Sequence, residues 1–297
     1  MKKKALLVGI NKYRVPGNDL NGCVNDVRLM EETLRTEYGF TGKENFRVLT
    51  DSQATGKAIL DGLSWLTAGA APGDSLVFHY SGHGSRVPDR NGDEPSDGLD
   101  EILCPYDLDW NHPLTDDDLA AACAGVPKGA LLTVILDCCH SGTGLRAPAL
   151  PCAPSRPRFL TLPEAKPPAC RRPARRFGVS VTKTNAVLIA ACREDQTSAD
   201  AWIGGRYHGA HTYFLCRALR DANWISTYRA LVASSGAALA RAGFDQVPQL
   251  EGPSLLLSST FLEPRRCGDP PPHALQRIDP QGNPIERRTE HAGKEPP

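Results

Sequence analysis

The chain has 297 residues, of which 40% are hydrophobic and 23% are charged, and its formal net charge at pH 7 is zero. This length can bury one large core, and no apolar run approaches the roughly 18 residues that a membrane-spanning helix needs. The composition is that of an ordinary globular protein, so neither a membrane nor a nucleic acid is expected as a partner.

Short β-rich apolar runs alternate with longer amphipathic stretches along the chain, which indicates an α/β fold with a mostly parallel sheet covered by helices. The predicted strands are 5–10, 46–50, 75–80, 131–137, 186–191 and a last one near 254–258. The predicted helices between them include 25–35, 55–68, 116–124 and 212–222.

Two proline-rich segments break this alternation. Residues 146–183 contain eight prolines and nine Lys or Arg against the single Glu164, so this stretch can neither hold a helix nor pair well as a central strand. It is predicted to be an exposed linker inside the folded unit. From residue 263 onward, eight more prolines occur among charged residues, and a disordered tail is predicted there.

The ten cysteines are spread through a mid-sized chain. The short N-terminal apolar run is followed quickly by polar residues and does not resemble a secretory signal, so a reducing, cytoplasmic setting is predicted.

Unusual residues lie at the ends of two predicted strands, in SLVFHYSGHGS at 75–85 and LLTVILDCCHSG at 131–142. In open α/β sheets, sites form beyond the carboxyl ends of strands. A His within reach of a Cys can take the thiol proton and leave a strong nucleophile. The two motifs therefore predict a His and Cys pair.

Strand alternation distinguishes the two adjacent cysteines, because residues two apart share a face. Cys138 falls with a purely apolar set and is predicted to lie in the core, whereas Cys139 projects toward the cleft together with Asp137. The glycines beside His83 allow close approach of a substrate, and the amides of Gly84 and Cys139 can stabilise an oxyanion.

These motifs resemble those of the caspase-fold peptidases, specifically the type I metacaspases and their bacterial relatives. LLVGINKY, NGCVNDV, SDGLDEILCPYD, CREDQTSAD and FDQVPQL follow in the family's order around HYSGHGS and DCCHSG. The QACRG-like motif of true caspases is not found. The resemblance implies a caspase-hemoglobinase fold, with a six-stranded, mostly parallel sheet over residues 1–262. Its parts would be 1–145, the linker 146–183 and 184–262, followed by the tail 263–297.

The resemblance also implies a cysteine endopeptidase that cleaves after Arg or Lys through His83 and Cys139, acting on basic protein or peptide substrates as a monomer. Asp26 and Asp137 would hold the basic side chain, and Cys23 and Ser81 would line the pocket. The alternative for the two carboxylates is structural: Asp26 starts a helix and Asp137 ends a strand.

Calcium is the one cofactor that the resemblance suggests, with Asp100, Asp116 and Asp117 as ligands. A further carboxylate position of the family falls on Arg146, whose charge repels a cation. Alternatively, Thr115 caps a helix whose first turn favours acids, and this interpretation needs no metal. Zinc is not expected, because a second cysteine pair at zinc spacing is missing.

Two further hypotheses remain open. The basic linker can be a site of self-cleavage or a solvated loop that binds anionic partners, and the self-cleavage candidates are Arg171, Arg172, Arg175 and Arg176. The whole chain can instead be a catalytically idle scaffold or regulatory module, or a hydrolase that acts on something other than peptides.

Overall fold

The structure, a computed structural model, describes residues 1–89, 98–139, 155–163 and 185–262, together with the backbone of 277–278 and 284–285. Residues Met1–Arg265 form one compact unit and Arg266–Pro297 form a second. In the second unit, the short strands Arg277–Ile278 and Pro284–Ile285 pair in antiparallel orientation.

The first unit combines strands and helices in alternation. Its strands are β1 (Lys3–Gly9), β2 (Phe46–Thr50), β3 (Ser75–Ser81), β4 (Gly84–Pro88), β5 (Leu99–Leu103), β6 (Leu114–Thr115), β7 (Leu131–Asp137), β8 (Arg156–Pro157), β9 (Ala186–Ala190), β10 (Ala199–Ile203), β11 (Arg206–Gly209) and β12 (Gln249–Glu251). Its helices are α1 (Cys23–Thr36), α2 (Gly56–Thr67), α3 (Asp116–Cys123), α4 (Ala210–Asp221), α5 (Tyr228–Arg241) and α6 (Ser254–Leu257). Within the described residues, no helix is both long and apolar enough to cross a membrane.

Six strands form the central sheet in the order β12-β9-β7-β3-β1-β2. The neighbouring pairs from β9 to β2 are parallel, and β12 runs antiparallel to β9. The predicted six-stranded, mostly parallel sheet is therefore confirmed.

The last predicted strand, near 254–258, is wrong. Ser254–Leu257 is the short helix α6, and the sixth strand is β12. A short apolar run such as SLLLS does not distinguish strand from helix by its pattern. Pro253 is the residue immediately before the helix, with φ −58° and ψ 130°.

Helices cover both faces of the sheet, which explains why its central strands are almost continuously apolar. On β7, Leu132, Val134 and Leu136 pack into one core together with residues of α2 and α3. Leu131 and Ile135 point to the other core, which α1, α4 and α5 complete.

The ends of β3 and β7 lie side by side, because Ser81 is the register partner of Asp137. Two small antiparallel sheets, β4-β5-β6 and β8-β10-β11, extend beyond this edge. Strand β8 comes from the proline-rich linker and pairs with β10. The prediction of an exposed linker holds for β8, whose two residues are exposed, but it is wrong for Arg158 and Leu160, which are buried.

Candidate active site

The two strand-end motifs place His83 directly after β3 and Cys139 directly after β7. Cys138 lies in the apolar core, as strand alternation predicts, whereas the Cys139 sulfur faces the backbone of Ser198. The Ser198 amide donates to Cys139 Sγ at 2.6 Å, and Sγ lies 3.4 Å from the Ser198 carbonyl oxygen. The sulfur of Cys139 is thus held in a polar backbone environment.

The His83 ring is buried and oriented by a backbone carbonyl. Its Nε2 lies 2.8 Å from the Asn18 carbonyl oxygen, which can only accept, so Nε2 carries the proton. Among the described residues, Nδ1 has no hydrogen-bond partner. Burial lowers the pKa of His83 to about 4. The ring is therefore neutral at pH 7, and the Nδ1 lone pair is available to a proton.

Arg158, from the linker, fills a fully buried anionic pocket. Its guanidinium contacts three carboxylates, at 2.9 Å from Asp26, 3.1 Å from Asp200 and 3.3 Å from Asp137. Nη1 also donates to Ser81 Oγ at 2.7 Å. The carboxylates come from α1, from the end of β7 and from β10, so the fold gathers them from distant parts of the chain.

The pocket's electrostatics depend on this guanidinium. Burial by itself would raise the pKa of Asp137, but Arg158, His211 and hydrogen bonds from Ser198 and Thr212 lower it to about 2. At Asp26, burial raises the pKa, although Arg158 and His208 oppose it. A buried pocket that gathers three carboxyl groups around one guanidinium suits a basic side chain.

The backbone of Arg158 is held as firmly as its side chain. Its carbonyl oxygen accepts hydrogen bonds from the amides of Gly84 and Cys139, both at 3.1 Å, and its own amide donates to the Ser198 carbonyl oxygen at 3.1 Å. The carbonyl oxygen of the peptide bond between Arg158 and Phe159 is therefore bound by two amide donors, one of which belongs to Cys139 itself. This is the arrangement of an oxyanion hole around a carbonyl group.

The structure brings most of the predicted site residues together. Asp26, Asp137, Ser81 and Gly84 all contact Arg158, as described above, and Cys23 is buried nearby, where burial raises the pKa of its thiol.

Sequence reasoning missed three participants: Arg158, Asp200 and Ser198. The last two lie in the recognised motif CREDQTSAD, which was the available signal for them. Asp200 also accepts from the amides of Asn21 and Gly22, both at 2.9 Å, and so joins β10 to the start of α1.

Three other histidines have different environments. His208 Nδ1 lies 2.9 Å from Asp26 Oδ1 and so supports the pocket from outside. His211 is fully buried. His140 lies outside the described residues.

The predicted calcium ligands lie in the small sheet and at a helix start. Asp100 lies on β5, and Asp116 and Asp117 begin α3, where Thr115 and Asp118 form a capping box. The predicted cap on this helix is therefore confirmed. Among the described residues, no three His, Cys, Asp or Glu side chains are grouped as metal ligands.

Two remaining sets of predicted residues cannot be placed. Arg146 lies outside the described part of the chain, and so do the self-cleavage candidates Arg171, Arg172, Arg175 and Arg176.

Comparison with known proteins gives a consistent picture. The family model "Metacaspase, peptidase C14 domain" matches residues 3–148. Metacaspase-1 of Arabidopsis thaliana is 34% identical over 253 residues, covering 82% of this chain and 66% of the relative. Metacaspase-1 of Pyricularia oryzae is 35% identical over 294 residues, covering 84% and 71%. The chain thus spans about two thirds of the length of these relatives.

Solved structures agree on the fold. A protein of Geobacter sulfurreducens has a TM-score of 0.60 at 23% identity, covering 87% of this chain and 97% of its own. Caspase-1 from Spodoptera frugiperda has a TM-score of 0.51 at 14% identity, covering 84% and 86%. The caspase-hemoglobinase fold expected from the sequence is therefore confirmed.

Proposed function

We propose that this chain, which belongs to the metacaspase family of cysteine peptidases, is an endopeptidase that cleaves after Arg or Lys with His83 and Cys139 as its catalytic pair. The observation that carries the proposal is the binding of Arg158. Its side chain occupies the pocket of Asp26, Asp137 and Asp200 while its carbonyl group faces the two amides beside Cys139.

This geometry supports basic specificity by charge and by shape. A guanidinium presents a fixed fork of N–H donors, and the pocket offers carboxylate, hydroxyl and carbonyl oxygens at 2.7 to 3.3 Å. A neutral or acidic side chain at the same place would leave carboxylates buried without a cation. Lys supplies the charge without the fork, so Arg is expected to be preferred over Lys.

The reaction follows from the atoms around the peptide bond. Cys139 Sγ attacks the substrate carbonyl carbon while His83 Nδ1 takes the thiol proton, and the amides of Gly84 and Cys139 stabilise the oxyanion. His83 then gives this proton to the departing amine as the C–N bond breaks, which leaves a thioester on Cys139. Water, activated by the neutral His83, hydrolyses the thioester and restores the thiol.

Self-cleavage is part of the proposal, and the bound segment favours the bond between Arg158 and Phe159. This bond already has its carbonyl oxygen between the two amides and its basic side chain in the pocket, so cleavage needs no further encounter. While the segment stays in place, it also excludes other substrates from the same pocket.

The test is a panel of fluorogenic peptides ending in Arg, Lys or Asp, assayed with the purified chain and with Cys139→Ala. We expect hydrolysis of the Arg and Lys peptides only, and none with Cys139→Ala. Hydrolysis of the Asp peptide at the same rate as the Arg and Lys peptides would contradict the proposed basic specificity. No hydrolysis of any peptide by a folded chain, together with an intact Arg158–Phe159 bond in mass spectrometry, would favour the idle scaffold.

A further inference from the structure

The chain beyond Arg158 is held by the backbone and side chain of β4. The Leu160 amide donates to the Gly84 carbonyl oxygen at 3.0 Å, and the Leu160 carbonyl oxygen accepts from Ser85 Oγ at 2.5 Å. Phe159 also forms a parallel bridge with Gly84. A peptide that leaves the oxyanion hole is therefore guided along the edge of the small sheet, as in peptide recognition by strand addition.

These hydrogen bonds place the side chain of Leu160 in the interior. Leu160 is only 9% exposed and belongs to the buried apolar core that also contains Val87, Cys104 and Cys138. The next residue, Thr161, is exposed. The cleft thus takes up the side chain of the second residue after the peptide bond of Arg158 and leaves the third in water.

We infer that the region around Ser85 and Val87 is a specificity subsite for an aliphatic side chain at the second residue after the cleaved bond. The inference rests on the proposed peptidase function and adds a second determinant to the basic residue before the bond. Selected substrates would carry Leu, Ile, Val or Met at that position.

The subsite discriminates by the usual physics of an apolar pocket. An aliphatic side chain gains free energy by leaving water, whereas a carboxylate buried there without a partner is costly. Because even small changes of side-chain size in such pockets alter kcat/KM by about 10- to 200-fold, replacing Leu by Asp is expected to lower kcat/KM by about 100-fold.

The alternative is that Leu160 is only a structural core residue of its own chain and that substrates do not bind in its place. Peptides added in trans separate the two possibilities. Quenched-fluorescence peptides of the sequence SRPRFLTLP, from residues 155–163, are compared with peptides that carry Asp at the Leu160 or at the Thr161 position. A coumarin amide of SRPR, which lacks every residue after the cleaved bond, reports the peptidase activity itself.

The expected result is about 100-fold lower kcat/KM for the Asp replacement at the Leu160 position and less than about threefold for the matched replacement at the Thr161 position. Equal kcat/KM for all three peptides, with the coumarin amide cleaved, would overturn the subsite and leave the peptidase proposal standing. If neither the coumarin amide nor any peptide is cleaved, the peptidase proposal fails and the subsite fails with it.

A second measurement uses the enzyme itself. Ser85→Ala removes the hydroxyl that binds the Leu160 carbonyl oxygen and adds no volume to the core. The ratio of kcat/KM for the SRPRFLTLP peptide to that for the coumarin amide is expected to fall about fivefold, the effect of one neutral hydrogen bond. An unchanged ratio would show that substrates do not follow the path of Leu160.

Discussion

Replacing Arg158 tests the pocket and the self-cleavage proposal in one chain. Arg158→Gln keeps a side chain of similar reach and some hydrogen-bonding ability but removes the charge that faces Asp26, Asp137 and Asp200. Removing one partner of a buried, hydrogen-bonded charge pair costs about 2 to 5 kcal/mol. Since each 1.4 kcal/mol is tenfold in rate, self-cleavage after residue 158 should slow by about 30- to 5000-fold.

The assay follows the purified full-length chain by intact-mass spectrometry over time. The wild-type chain is expected to yield a fragment that ends at Arg158 and a second that begins at Phe159. Arg158→Lys keeps the charge and should slow this cleavage less than Arg158→Gln. Arg156→Gln is the matched control, because Arg156 is exposed and donates to the Asp19 carbonyl oxygen at 3.0 Å. Cleavage of Arg158→Gln after residue 158 at the wild-type rate would refute the reasoning.

Three other predictions concern the pocket, the catalytic histidine and calcium. A Cβ on Gly209 would collide with Asp137 and Arg158, so Gly209→Ala should raise KM for Arg peptides by about 5- to 100-fold. Gly125→Ala is the control, because a Cβ on Gly125 meets open space and should leave KM unchanged. Equal KM values for the two variants would contradict the pocket geometry. Because burial lowers the pKa of His83 to about 4, its ring stays neutral well below pH 6.5, so self-cleavage should continue at pH 5.5 and decline only near pH 4. A decline in the self-cleavage rate centred near pH 6.5 would contradict this. Circular dichroism of Cys139→Ala over the same pH range controls for unfolding. Calcium dependence, with Asp100, Asp116 and Asp117 as the ligands that the family resemblance implies, predicts that excess chelator lowers the rate of Arg-peptide hydrolysis and that added calcium restores it; an unchanged rate would show that hydrolysis does not need calcium.

The sequence predicted the central sheet well because its strands are buried on both faces and read as apolar runs. The bounds of β2 and β7 match the predicted 46–50 and 131–137. The small sheet β4-β5-β6 and helix α5 were missed, because short edge strands and the weakly patterned YRALVASSGAALAR carry little periodic signal. The same reasoning separated Cys138 from Cys139, since alternation along β7 continues just past its end.

Asp200 illustrates what a linear pattern does not provide. Its motif was recognised, yet its role depends on contact with Arg158, 42 residues before it along the chain, and with amides at the start of α1. Contacts between such distant residues come from tertiary packing, and the local pattern of residues in a single sequence does not reveal them. By contrast, Asp26 and Asp137 were found because the family motifs mark them individually.

Part of the proline-rich linker is buried, although its composition predicts an exposed segment. Its prolines exclude a helix and a central strand, and this part of the reasoning holds, since Arg156–Pro157 is a two-residue strand beside β10. An extended backbone at the edge of a sheet, however, is compatible with proline, and Pro157 restricts Arg156 to extended conformations. An extended strand is also the form in which peptidases bind peptides by strand addition. The prolines that make the segment look unstructured therefore favour the extended form in which it lies, and the only fully buried residue of 155–163 is Arg158, whose guanidinium contacts the three carboxylates.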